Sequence, residues 1–116
     1  MSMTDRELLE LAAIAAGEDV EWLKTEKAFF RRSCSWPQEK GWFNPLHDDG
    51  EALRLAVTLK MQIIVHGDWV EAMIDGIQLS SPASCYSADG CLYETTRRAI
   101  VRAAAEIGKS MQEVSA

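Results

Sequence analysis

The sequence predicts an α+β fold, in which a small, mostly antiparallel sheet packs with three helices in an α-β-α sandwich-like arrangement. Three observations lead to this prediction. Two helix starts carry capping residues, the C-terminal segment has strong helical periodicity, and segments between them alternate as strands do. A chain of 116 residues with 47% hydrophobic and 26% charged residues matches a single globular domain over residues 1–116.

The first helix is predicted over residues 4–16. Thr4 and Glu7 have the spacing of a capping box, in which each side chain binds a free backbone NH group of the first turn. Gly17 is placed to end the helix. The apolar positions form one broad stripe, which predicts a single buried face: Leu8, Leu9, Leu11, Ala12, Ala13, Ala15 and Ala16.

Residues 20–32 predict a half-exposed strand, or a pair of strands with a turn near residues 25–27, because Trp, Thr and Phe alternate with charged side chains. The Glu and Lys content leaves a helix open as the alternative. The segment SCSWPQEKGWFNPL that follows predicts an ordered loop, since two prolines and a glycine interrupt regular structure. We expect Trp36 and Trp42 to pin this loop across the edge of the core.

The stretch FNPLHDDGEALRLAVTL, residues 43–59, predicts a loop that aims a second helix. Pro45 keeps Asn44 extended, and either Asp48 or Asp49 is placed to cap the helix. Glu51 and Arg54 have the spacing of an ion pair. The polar side is predicted at Glu51, Arg54, Thr58 and Lys60, and the buried arc at Ala52, Leu53, Ala56, Val57 and Leu59.

The segments MQIIVHG and DWVEAMIDG predict an antiparallel hairpin that turns at residues 66–68. The Ser-, Pro- and Asp-rich segment IQLSSPASCYSADG predicts a loop, with one further short strand near residues 77–79. A last helix is predicted over residues 92–111, with Met111 in its apolar stripe, followed by a frayed tail of four residues. Two outward pairs one turn apart, Glu94 with Arg98 and Arg102 with Glu106, support this helix.

Two segments together resemble a family of short phage and prophage proteins, the phage ABA sandwich domain. These segments are WFNPLHDDGEALRLAVTL and RRAIVRAAAEIGKSM, and the resemblance extends from Leu8 to Met111. It implies helices on both faces of a central sheet and a phage or prophage origin, with a bacterial host. The family has no assigned activity, so the resemblance implies no catalytic residues.

Composition bears on partners and location. The 12 basic and 18 acidic residues give a formal net charge of −6, which opposes binding to nucleic acid and to anionic membranes. The basic groups at Arg31–Arg32 and at Arg97, Arg98 and Arg102 are predicted to be solvated edges of a strand and a helix. No apolar run reaches membrane-spanning length, and the N-terminal residues have no signal-peptide pattern, so a cytoplasmic location is expected. Cys34, Cys85 and Cys91 predict free thiols, with a local disulfide or thiol–metal site at Cys85 and Cys91 as the alternative.

The candidate binding residues cluster around the predicted loop and the helix after it. Aromatic side chains beside a helix N-terminus would suit a nucleotide or a carboxylate, although Asp48 and Asp49 occupy that same end. The candidates for ligand or partner binding are Trp36, Trp42, Phe43, Asn44, Arg54 and Arg98. His47 and His66 have acidic neighbours but lack a nucleophile or third ligand at a recognisable spacing, so no catalytic residue, metal site or cofactor is predicted.

Three functions remain as hypotheses. The favoured one is a non-catalytic interaction protein of phage origin that binds a host or phage protein or forms a homo-oligomer, because an interaction surface needs no sequence motif. The second is a protein that binds or sequesters a small, nucleotide-like ligand. The third is a small hydrolase with His47 or His66 as its base.

Overall fold

The computed structural model describes residues 4–32, 41–65, 69–74, 83–86 and 92–115. Within these residues the chain forms three helices and two antiparallel sheets, which confirms the predicted α+β class. The strands divide into two sheets of three, β1-β2-β3 and β4-β5-β6. The elements in chain order are α1 (Asp5–Ala16), β1 (Val20–Leu23), β2 (Ala28–Arg31), β3 (Trp42–Phe43), α2 (Asp49–Thr58), β4 (Met61–Val65), β5 (Trp69–Ile74), β6 (Ala83–Tyr86) and α3 (Leu92–Ser115).

Helix α1 begins and ends as its sequence predicts. The Thr4 side chain accepts a hydrogen bond from the backbone NH of Glu7 at 3.2 Å, which satisfies one of the free donors of the first turn. Gly17 ends the helix in the left-handed conformation, with φ of 73°, and its NH reaches back to the helix carbonyls. The buried positions are Leu8, Leu9, Ala12 and Ala13.

The first sheet contains the predicted hairpin and one strand that the sequence did not predict. β1 and β2 pair antiparallel with Val20 opposite Arg31, and Lys27 completes the turn with φ of 51°. β3 then pairs with β2, so that residues 42–43 are a strand and the prediction of a loop there was wrong. A strand of two residues is too short to show alternation, and Gly41 and Pro45 beside it indicate a loop.

The second sheet contains the other predicted hairpin, β4 with β5, in which Val65 lies opposite Val70. β6 pairs with β5 and makes residues 83–86 a strand, where a loop was predicted. Its sequence, ASCY, has little of the β-branched content that identifies strands, so only pairing with β5 makes it one. The predicted short strand at residues 77–79 lies outside the described residues.

Helix α3 is longer than predicted. It continues past Met111 to Ser115, which corrects the prediction of a frayed tail. Gln112 and Glu113 are good helix formers, which favours continuation of the helix past Met111. Met111 is exposed, although its spacing predicts a place in the buried stripe. None of the described helices combines the length and the apolar composition that crossing a membrane requires.

The hydrophobic core lies on two sides of α3. Ala99 and Ala103 pack with Val70 and Ala72 of β5, in contact with the second sheet. The larger cluster joins α3 to α1, α2 and the first sheet, and its α3 members are Ile100, Val101, Ala104 and Ala105. Because α3 contributes to both clusters, it is apolar around most of its circumference, as a central helix is.

Candidate functional site

The three aromatic residues predicted to bind a ligand, Trp36, Trp42 and Phe43, form the predicted aromatic platform, and Phe43 is part of the core. The Phe43 ring is buried in the main cluster. Trp42 is half-buried and packs edge-on against Phe30, with 5.5 Å between ring centroids. Edge-to-face stacking of this kind stabilises the strand pair. Trp36 lies outside the described residues, so the described part of the platform offers a ligand only the exposed portion of Trp42.

The N-terminus of α2 already holds two carboxylates. Asp48 is the cap, because its Oδ1 accepts from the backbone NH of Glu51 at 3.0 Å. Asp49 instead accepts from Nη1 of Arg97 at 2.6 Å. The Asn44 carbonyl accepts from the NH groups of His47 and Asp48, which closes the turn before the helix. An anionic ligand at this helix end would have to compete with both aspartates.

Arg31 connects three parts of the chain around α2. Its Nε donates to Oε2 of Glu18 and its Nη2 to Oε1 of Glu51, each at 2.8 Å. Its Nη1 donates to the backbone carbonyl of Trp42 at 2.9 Å. The residue is only 8% exposed, so the prediction of a solvated strand edge was wrong for Arg31. The sequence shows that Arg31 is charged but contains no signal that Glu18 and Glu51 converge on it.

The charge of Arg31 is maintained by its partners. Burial lowers the pKa of Arg31, but hydrogen bonds and charge from Glu18 and Glu51 outweigh it and raise the pKa above its ordinary value. A raised folded-state pKa contributes stability at every pH below the unfolded-state pKa. That contribution is lost only as the pH rises through the raised folded value. Arg31 is therefore cationic in the folded protein throughout the physiological range.

The two arginines predicted to bind a ligand have separate ion-pair partners. Arg54 lies 3.8 Å from Glu51 in the predicted i, i+3 pair of α2. Arg98 lies 3.3 Å from Asp5 and connects α3 to the start of α1. These contacts tie Arg54 to α2 and Arg98 to α1, so the described ion pairs do not bring the two arginines to one centre. Asn44 is half-buried in the turn before α2.

The histidines give no described catalytic arrangement. His47 is exposed, and its backbone NH completes the turn at Asn44. His66 lies outside the described residues, as do Cys34 and Cys91 and the side chain of Cys85. In the part of the chain that the structure describes, no group of three His, Cys, Asp or Glu residues is arranged to hold a metal ion.

The outward face of α2 is the described surface whose exposure most clearly differs from the sequence prediction. Leu53 and Val57 were assigned to the buried arc, yet they are 63% and 68% exposed. The buried residues are Ala52, Leu55 and Ala56. Leu53 and Val57 are one helical turn apart and lie side by side. We call these two residues the outer stripe of α2.

The hydrogen bond from Arg31 to Glu51 explains this orientation. Glu51 is on the same side of α2 as Leu55, one turn away, and its side chain is only 11% exposed. Holding Glu51 against the first sheet turns that side of the helix inward. Leu53 and Val57 are on the other side of the helix and therefore face outward.

Comparison with known proteins gives no relative from which to transfer a function. Neither the protein-family models, nor the curated proteins, nor the solved structures contain a significant match to this chain. The resemblance to the phage ABA sandwich domain therefore stays a prediction from the two sequence segments that carry it.

Proposed function

We propose that this protein is a non-catalytic interaction protein that binds a macromolecular partner through the outer stripe of α2. The observation that carries the proposal is the exposure of two large apolar side chains, Leu53 and Val57, on one turn of a helix whose opposite side is buried. Adjacent exposed apolar side chains are more informative than isolated ones, because they form a contiguous surface that a partner can cover.

The energy available from this surface supplies only part of what recognition requires. Full burial of a Leu or Val side chain contributes about 1.5–3 kcal/mol. Since about two thirds of each side chain is exposed, covering both would contribute roughly 2–4 kcal/mol before the cost of association. Contacts around the outer stripe must supply the rest of the affinity.

The described charges support an interaction protein over a nucleotide-binding protein. Arg31, Arg97 and Arg98 are all engaged by carboxylates. The N-terminus of α2, the most suitable position for a phosphate, is occupied by Asp48 and Asp49. A phage or prophage origin is part of the proposal and is supported only by the resemblance of the two segments described above.

Site-specific photo-cross-linking tests the proposal. A benzophenone amino acid replaces Val57 in the protein expressed in bacteria, and the same amino acid replaces Gln112, an exposed position near the end of α3, as a control. We expect a discrete cross-linked species at position 57, several-fold more abundant than at position 112. The added substitution Leu53→Ser should remove it. Equal, diffuse labelling at both positions would contradict the proposal.

A further inference from the structure

We propose that the partner of the outer stripe is the same stripe of a second copy of this chain, in an antiparallel dimer with two-fold symmetry. The inference rests on the proposed function, since it takes α2 as an interaction surface, and it adds the identity of the partner. It is carried by the distribution of charge along α2 around Leu53 and Val57.

The outer stripe has opposite charges at its two ends. Asp49 lies one turn before Leu53, and its side chain remains 71% exposed although Arg97 binds one of its oxygens. Lys60 is exposed just beyond the end of the helix. The stripe therefore runs from an acidic end, across two apolar side chains, to a basic end.

The spacing of these groups is self-complementary. The midpoint between Leu53 and Val57 falls at Leu55, six residues after Asp49 and five before Lys60. At 1.5 Å per residue, the Cα atom of Asp49 is about 9 Å from that midpoint along the helix axis. Lys60, in the left-handed conformation just beyond the helix end, lies on the other side of the midpoint. A two-fold axis at the midpoint places Leu53 of one copy opposite Val57 of the other. The same rotation brings each Asp49 to the Lys60 of the second copy.

The charges also select the orientation. A parallel pairing would place Asp49 against Asp49 and Lys60 against Lys60, and like charges in contact oppose association. The antiparallel pairing places opposite charges together at both ends. Arg54 is on the flank of the stripe, 3.8 Å from Glu51 of its own helix.

The small area of the surface limits the affinity of the dimer. One face of a ten-residue helix offers less area than the interface of a stable complex, which buries roughly 1,200–2,000 Å² in total. The dimer is therefore weak and depends on concentration. Two copies that each carry a net charge of −6 also repel one another, so the measurement needs about 0.15 M salt to screen that repulsion.

Sedimentation velocity of the full chain at protein concentrations from about 10 µM to about 1 mM tests the dimer, because weak complexes form in that range. We expect the weight-average mass of the wild type to rise from one chain toward two. The double substitution Leu53→Ser with Val57→Ser should abolish the rise. Met111→Ser is the matched apolar control. Met111 is also exposed, but it is on α3 and not on α2, one turn beyond Gly108, where α3 packs on α1.

The charge test uses Lys60→Glu, which replaces two attractive contacts with two repulsive ones and should weaken the dimer about fivefold or more. Lys109→Glu is its control, because it makes the same change in net charge at an exposed position of α3. An equimolar mixture of Lys60→Glu and Asp49→Lys should restore dimers, since the crossed pair again places opposite charges together. Circular dichroism confirms that Asp49→Lys, which loses the contact to Arg97, is still folded.

Two results would overturn the inference. One is a wild type that stays monomeric up to about 1 mM, well above the Kd of weak complexes. The other is a dimer that Lys60→Glu and Lys109→Glu weaken equally. If the wild type is monomeric but position 57 still cross-links another protein in a Leu53-dependent way, only the second-copy inference fails. If position 57 gives no Leu53-dependent product, the proposed function fails as well.

Discussion

Arg31 is a buried cation whose hydrogen bond to Glu51 ties α2 to the first sheet. Its guanidinium carbon also lies 5.6 Å from the centre of the Phe43 ring. Removing one partner of a buried ion pair is costly because it leaves the other charge buried and unpaired. The neighbouring residue, Arg32, pairs with Asp19 in an exposed position, where an ion pair contributes little. These adjacent arginines therefore allow a direct comparison between a buried and an exposed charge.

We expect Arg31→Met to lower the free energy of unfolding by about 3–5 kcal/mol, because Glu51 loses its buried partner. Arg32→Met, the matched control, should cost about 1 kcal/mol or less. Urea unfolding of both variants measures the difference. Adding Glu51→Met to Arg31→Met should recover part of the loss, since it removes the buried carboxylate, and the other carboxylate partner of Arg31, Glu18, is more exposed. Equal, small losses for the two arginines would contradict a structural role for the Arg31 contacts.

Asp48 gives a second prediction about a single side chain. Asp48→Ala removes the acceptor for the backbone NH of Glu51 and should cost about 1 kcal/mol. Asp48→Asn keeps an acceptor at the same place and should cost much less, which separates capping from general charge effects. Thermal unfolding of the two variants measures this. A loss of equal size in both would mean that charge, and not the cap, accounts for the effect.

Helix α3 crosses α1 at Gly108 with almost no space between the backbones. A Cβ atom at Gly108 would lie 1.9 Å from the carbonyl oxygen of Leu11, closer than atoms can approach without movement of a helix. The surrounding residues of both helices are small and fully buried, among them Ala12, Ala13, Ala104 and Ala105. The contact between α1 and α3 is the most extensive between any two described elements. It therefore depends on the absence of a side chain at Gly108 and on the small side chains around it.

Gly108→Ala tests this contact with a favourable effect and an unfavourable one. Alanine is the better helix former by about 1 kcal/mol, so in an isolated helix the substitution would stabilise. In the folded protein we expect a net loss of up to about 2 kcal/mol, because overpacking that separates α3 from α1 costs about 1–3 kcal/mol and outweighs that gain. Chemical denaturation measures the change, with Gln112→Ala as a control at an exposed position of the same helix. A stabilised Gly108→Ala variant would contradict the close crossing.

The two core clusters share α3, and this arrangement decides how the whole molecule unfolds. Ala99 and Ala103 pack against the second sheet, while neighbouring residues of the same helix belong to the cluster that joins α1, α2 and the first sheet. A helix cannot leave one sheet without disturbing its contacts with the other side. We therefore expect the described elements to unfold cooperatively, as single domains of this size do.

Ala103→Leu tests that expectation, because it overpacks the contact between α3 and β5. Amide hydrogen exchange should become faster in β4 and β5 and also in β1 and β2, which Ala103 does not pack against. Glu106→Leu, a substitution on the exposed side of α3, is the control and should leave both sheets protected. Faster exchange confined to the second sheet would show that the two sheets unfold separately.

Features that depend on neighbouring residues could be predicted from the amino-acid sequence. The Thr4 cap of α1, the stop at Gly17 and the pair of Glu51 and Arg54 all act within a turn, and the structure contains each of them. Of the predicted capping box the structure shows the Thr4 half, and the Glu7 carboxylate accepts from the Thr4 hydroxyl. The two hairpins were also predictable, because alternation and turn residues are local signals. The α+β class follows from the order of these elements.

Features that depend on distant residues are set by tertiary contacts. β3 and β6 are strands because β2 and β5 pair with them. The face of α2 that is buried was predicted wrongly, because an arc containing Leu53 and Val57 is as apolar as one containing Leu55. Arg31 decides between them by holding Glu51 inward from a strand twenty residues away. Periodicity identifies a helix, but contacts outside the helix determine which side faces the core and which is left for a partner.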